Sequence, residues 1–147
     1  VRSKLAHTPP TGRVCCFAGV VLLPSHLTAT GRAILSALPR NQVRALYPNR
    51  QAFTDRTGIG PKSPKELEAT LAETRRTGFA EEHGDVTPGF DSYAVAVRDY
   101  NDFPIAGLAL TFVSGSLRPE QERSLKTKLR LAGTELSRRL GAAGSLT

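Results

Sequence analysis

Two period-two runs joined by a turn constrain this chain more than anything else in it. From Phe90 to Arg98 the side chains alternate, with Tyr93, Val95 and Val97 on one face and Ser92, Ala94 and Ala96 on the other. Asp99-Tyr100-Asn101-Asp102 supplies a turn, and Pro104 opens a partner run from Ile105 to Val113. In that run Leu108, Leu110 and Phe112 oppose Gly107, Ala109 and Thr111. The pattern predicts an antiparallel hairpin whose large-residue face packs on a helix and whose small-residue face leaves room for something else.

The rest of the chain supplies helices to cover such a sheet. Ser63-Pro64-Lys65-Glu66 combines an N-cap serine, a first-turn proline and a glutamate that closes a capping box. Leu67, Leu71 and Thr74 form the buried stripe of the helix it starts, and Gly78 stops it. A helix is expected from Ser25 to Leu38, with Ser25 and Thr28 both suitable as N-caps, and a short one from Arg40 to Leu46 between Pro39 and Pro48. Phe79 to Glu82 reads as a short strand, and the Gly58-Ile59-Gly60 stretch as a turn rather than a phosphate loop. The last helix starts at Pro119, with Leu125, Leu129, Ala132, Leu136 and Leu140 as its apolar stripe and Gly141 as its C-cap. Arg13 to Leu23 is apolar and β-branched enough for a further strand, preceded by a loop-like edge over residues 1–12. Strands gathered in a run, with helices before and after, predict an α+β fold in one domain.

Composition narrows the function classes. A run of about 18 apolar residues, the minimum for a bilayer span, is nowhere present. Methionine is absent, so the chain is expected to be a piece of a longer protein. Cys15 and Cys16 are adjacent and would point to opposite faces of a strand, which fits reduced thiols in the cytoplasm rather than a bridge. The net charge of +7 raises nucleic acid as a partner. Between Leu117 and Gly141, however, seven basic residues accompany Glu120, Glu122 and Glu135. With acids at its start and Arg138 and Arg139 at its end, that segment reads as a solvated helix face.

The three histidines, His7, His26 and His83, are scattered, and Glu81-Glu82-His83 alternates across a strand, so no dedicated metal site is expected. Ser92 lacks a nucleophile elbow, and Glu81 and Asp85 read as solvated loop carboxylates. No catalytic residue and no cofactor are expected. The segment Thr28-Ala29-Thr30-Gly31 is more informative: the first amides of a helix have no partner within it, and such small residues let a ligand approach them. The alternative is an ordinary capped helix with a small face for close packing. Ser92 and Thr111 would add hydroxyls on adjacent strands, and Glu82 a carboxylate just before the hairpin.

The stretch Leu23-Pro24-x-His26-x-Thr28-Ala29-Thr30-Gly31-Arg32-Ala33-Ile34-Leu35 resembles the helix-opening signature of the IclR family of bacterial transcription regulators. Glu73 to Glu82, then Thr87-Pro88-Gly89-Phe90, then Ala94 to Asp99 continue the likeness in order and at the right spacing, over about residues 22–140. The resemblance implies a C-terminal effector-binding domain with a GAF-like antiparallel sheet flanked by helices. It implies a small-molecule effector, such as an organic acid, held by the amides of Ala29 and Thr30 within Thr28 to Gly31, with Glu82, Ser92, Ala109 and Thr111 as further contacts. Ala109 stands where relatives can carry a hydroxyl, and Glu82 reaches further than an aspartate would. DNA is implied as a partner only through a winged helix-turn-helix domain that would precede residue 1, and a homodimer or tetramer is implied as the assembly. An enzyme acting on a small acid in the same pocket is the alternative. A basic interaction module built on Lys126, Lys128 and Arg130 is the third reading.

Overall fold

A computed structural model describes residues 22–142. Its elements in order are α1 (Ala29–Ala37), α2 (Arg40–Leu46), a 3-10 turn at Arg50–Ala52, α3 (Pro64–Thr77), β1 (Ala80–His83), β2 (Phe90–Arg98), β3 (Pro104–Val113) and α4 (Pro119–Arg139). The three strands form one antiparallel sheet in the order β1-β2-β3. Ser92 pairs with Glu82 on one side and with Thr111 on the other. The α+β class expected from the hairpin is therefore the observed one. The strand expected over Arg13 to Leu23, like Cys15, Cys16 and residues 1–12, lies outside the described residues apart from Leu22 and Leu23, which carry no strand.

The two faces of the sheet are covered by unlike surfaces. On the small-residue face, α1 lies on the strands through Ala29, Ala33, Ala80 and Ala94, with Ala96 and Ala109 beside them. Alanines on both sides permit a close approach, and Gly107 tightens it: a Cβ there would stand 2.9 Å from Thr30 Cβ. Behind α1, the stripe of α3 (Leu67, Leu71) meets Leu35 and Val43. On the opposite face Phe79, Tyr93, Val95 and Leu129 form a second core with Leu108 and Phe112. Burying side chains of this size contributes about 1.5–3 kcal/mol each, more than the alanines of the small-residue face can supply.

Two helices differ from expectation for definite reasons. The chain does not enter α1 at Ser25, because Leu27 and Thr28 N–H both turn back to the Pro24 carbonyl (3.0 and 3.3 Å) and Thr28 becomes the cap. In α4 the buried positions are Leu129 and Gly133, while Ala132, Leu136 and Leu140 are exposed. Gly133 decides this rotation: a Cβ there would lie 2.5 Å from Val95 Cγ2, so α4 approaches β2 most closely where it has no side chain.

Candidate functional site

The tip of α1 is built by the Pro24–Thr28 turn. Thr28 is extended (φ −85°, ψ 145°), its Oγ1 accepts the Gly31 N–H at 3.0 Å, and its carbonyl accepts the Arg32 N–H at 2.9 Å. The N–H groups of Ala29 and Thr30 are left without an acceptor among the described residues. Orphan donors at a helix start, with the positive end of the dipole behind them, attract an anion.

Opposite this tip stands the small face of the sheet. Ser92 Oγ and Thr111 Oγ1, register partners on β2 and β3, are 2.9 Å apart. Ala109 lies one step inward on the same face of β3. From β1 comes Glu82, buried to 4% exposure, whose Oε1 accepts the Val86 N–H at 3.0 Å. Together with Leu23, Val86, Thr87 and Phe90, these groups border an open cavity of about 510 Å³ that Thr28, Ala29 and Thr30 also line. A space of this size suits a small metabolite.

Seven of the eight residues expected from sequence thus lie around one space, and Gly31 does not. A Cβ on Gly31 would stand 2.3 Å from the Ser25 carbonyl oxygen, so its lack of a side chain serves the turn beneath it. Its N–H is already given to Thr28, which leaves no donor for a ligand.

What fixes these walls was not visible in the sequence. Arg32 and Asp85 form an ion pair with side chains only 5% and 4% exposed. Arg32 Nε donates to the His26 carbonyl and Nη1 to the Glu81 carbonyl, both at 2.8 Å. Asp85 also accepts the His83 N–H at 3.3 Å, and its backbone carbonyl accepts from Thr57 Oγ1 at 3.1 Å. Asp85 is therefore a buried anchor between α1 and the β1–β2 turn, not the solvated loop carboxylate its turn-like surroundings suggested. One signal was present: an arginine in the first turn of a helix sits at the unfavourable end of the dipole and needs another partner. His26 is likewise buried, edge-on to Tyr47 and Phe53, with Nε2 3.0 Å from the Thr54 carbonyl.

The lining residues offer two amide donors, hydroxyls and one carboxylate between apolar walls, which is the equipment for holding a molecule. None of them is a histidine, lysine or cysteine that would activate Ser92. Among the described residues no three potential ligands gather around a metal position, and no helix is long and apolar enough to cross a membrane.

The basic face of α4 is largely neutralised by its own neighbours. Lys126 Nζ lies 2.7 Å from Glu81 and 2.9 Å from Glu122, and 4.3 Å above the Tyr93 ring. Burial alone would lower the Lys126 pKa, but the bonds to Glu81 and Glu122 prevail and raise it above the usual lysine range. Burial, then the hydrogen bond to Glu122 (2.8 Å), raises the Tyr93 hydroxyl. The bonds from Lys126 and Tyr93 lower Glu122 in turn. Near the helix end Glu135 pairs with Arg138 and Arg139, both at 2.8 Å.

The family model for the bacterial transcriptional regulator IclR C-terminal domain matches residues 5–138. The chain is 33% identical over 125 residues to the glycerol operon regulatory protein of Streptomyces coelicolor, an alignment covering 81% of this chain and 46% of that protein. It is 30% identical over 119 residues to the HTH-type transcriptional regulator XynR of Escherichia coli, covering 81% and 47%. Among solved structures, the Agrobacterium tumefaciens repressor BlcR aligns with a TM-score of 0.78 at 30% identity, over 85% of this chain and 51% of that one. These proteins are regulators of transcription rather than enzymes, and the chain spans about half the length of the relatives it matches.

Proposed function

The chain belongs to the IclR family of bacterial transcriptional regulators, as a C-terminal domain of that family, and on that premise we propose that it senses a small organic acid at the tip of α1. In this reading the acid group takes the free N–H groups of Ala29 and Thr30. The body of the ligand lies against Ala29, Ala109 and Phe90, and its far end reaches Ser92, Thr111 and Glu82. A carboxylate near Glu82 would be repelled, so a hydroxyl or amine belongs at that end and the acid at the helix tip. The observation that carries the reading is the pair of unpartnered amides on a cavity of about 510 Å³.

Occupancy would then bias the arrangement of a homodimer or tetramer and, through it, the spacing of DNA-reading domains elsewhere in the full protein. A ligand moves such an equilibrium only by its differential affinity for the two arrangements. Half-site spacing on DNA follows dimer geometry, so a modest rotation is enough. A melting screen against short-chain and aromatic carboxylic acids tests the proposal. A true ligand at 100 times its dissociation constant stabilises the chain by about 2.7 kcal/mol. A broad panel of acids that leaves the melting temperature unmoved would contradict it.

A further inference from the structure

The cavity at the tip of α1 carries opposite electrical signs on its two walls. On one wall the Ala29 and Thr30 N–H groups stand at the positive end of the α1 dipole, without an acceptor among the described residues. On the other wall stands Glu82, the one ionisable side chain among the residues that line the space. Glu82 is buried to 4% exposure, yet it joins none of the ion pairs among the described residues. Its Oε1 takes the Val86 N–H at 3.0 Å, and its Oε2 has no partner among the described residues. The side-chain atoms there that are both sealed from solvent and unpartnered are His26 Nδ1 and Arg75 Nη2, so Glu82 Oε2 keeps surface that a molecule in the cavity can reach. A carboxylate taken out of water with no cation beside it is costly.

The sheet decides which group can answer that charge. Glu82, Ser92 and Thr111 are register partners on β1, β2 and β3, so a carboxylate and two hydroxyls form one polar row across the small-residue face. Ser92 Oγ and Thr111 Oγ1 share a single hydrogen bond of 2.9 Å, which leaves acceptor lone pairs on both oxygens. Such a row suits a group that brings several donors and a positive charge. An ammonium brings three N–H donors and a full charge, whereas a hydroxyl brings one donor and no charge.

We infer that the effector is a zwitterion, a small amino acid whose carboxylate takes the Ala29 and Thr30 amides and whose ammonium sits on Glu82, with Ser92 and Thr111 beside it. The inference rests on the acid-sensing reading of the same cavity and names the class of acid. Opposite signs on the two walls also turn away other acids. A dicarboxylate sets its second charge against Glu82, and an unsubstituted acid leaves Glu82 buried and unanswered.

Calorimetric titration of the chain with matched sets of ligands tests it. Each set holds the amino acid, the hydroxy acid and the unsubstituted acid of one straight-chain length, from glycine, glycolate and acetate up to 6-aminohexanoate, 6-hydroxyhexanoate and hexanoate. At the length that spans the cavity, the amino acid should bind about ten-fold or more tightly than its hydroxy counterpart, because a paired charge exceeds a neutral donor. Glu82→Gln keeps an oxygen for the Val86 N–H and should abolish that preference while tightening the unsubstituted acid. The selectivity of the parent chain decides the matter even where this variant fails to fold. Acids that bind with no preference for the amino member at any length overturn the inference and leave the acid-sensing reading standing. A preference that survives in Glu82→Gln overturns it as well. No binding by any member of any set overturns both readings together.

Discussion

Replacing either member of the Arg32–Asp85 pair should destabilise the chain severely, and by unequal amounts. Removing one partner of a buried ion pair costs about 3–5 kcal/mol, because the other charge stays behind uncompensated. Asp85→Asn keeps an oxygen beside Arg32, and the guanidinium retains the carbonyls of His26 and Glu81 at 2.8 Å. That variant belongs near the lower end, at about 3 kcal/mol. Arg32→Leu leaves the Asp85 carboxylate with the long His83 N–H bond (3.3 Å) and takes the donor from the buried His26 carbonyl and the half-buried Glu81 carbonyl. It belongs near the upper end, at about 5 kcal/mol. Against a total of about 5–15 kcal/mol, the second loss removes a third or more of the stability. The double variant should cost less than the sum, since neither charge is then left alone. Urea denaturation followed by far-ultraviolet circular dichroism reads these differences as midpoint shifts at constant slope. Losses below about 1 kcal/mol in both single variants would match an exposed pair and refute the role assigned to it.

Three further outcomes follow from particular contacts. Ala29→Pro removes one of the two free amides at the first helical position, where proline is favoured and where Thr28, at ψ 145°, already has the backbone a following proline needs. Because Ala29 is buried against Ala33, Ala80 and Ala94, the added ring should cost about 1–3 kcal/mol of stability, and at a temperature where the variant is still folded its affinity for an acid ligand should fall at least ten-fold in calorimetry, roughly the worth of one charge-assisted bond. Gly31→Ala drives a Cβ to within 2.3 Å of the Ser25 carbonyl, so it should lower stability by about 1–3 kcal/mol in denaturation, with any loss of binding following from the distorted tip. Glu122, lowered from 4.5, contributes stability that is present above that pH and is lost as pH falls through its folded value. Melting temperature against pH should therefore drop less steeply on the acid side for Glu122→Gln than for the parent, and identical acid limbs would refute the contribution.

Local chemistry carried much of the fold into the sequence. The alternation from Phe90 to Arg98 marks β2 to the residue, and Ser63 and Gly78 bracket α3 as cap and left-handed stop (φ 78°). Both depend on neighbours in the chain. What escaped depends on residues far apart. Arg32 and Asp85 are 53 positions distant, and nothing in the irregular stretch around Asp85 reports that its carboxylate is enclosed. The face of α4 follows from Gly133 meeting Val95, a contact that a stripe of leucines does not encode. The cavity at the tip of α1 was partly legible because its tip is a local motif and its floor a run of small strand residues.

The central claim, that two unpartnered amides at the tip of α1 receive the ligand's acid group, is tested most directly by the chain's amide resonances during titration with a carboxylate that shifts its melting temperature. The account predicts that the N–H signals of Ala29 and Thr30 move downfield and saturate together, while that of Gly31, already bonded to Thr28, moves little. Saturating binding that leaves the Ala29 and Thr30 signals in place, with the large shifts elsewhere, would contradict it.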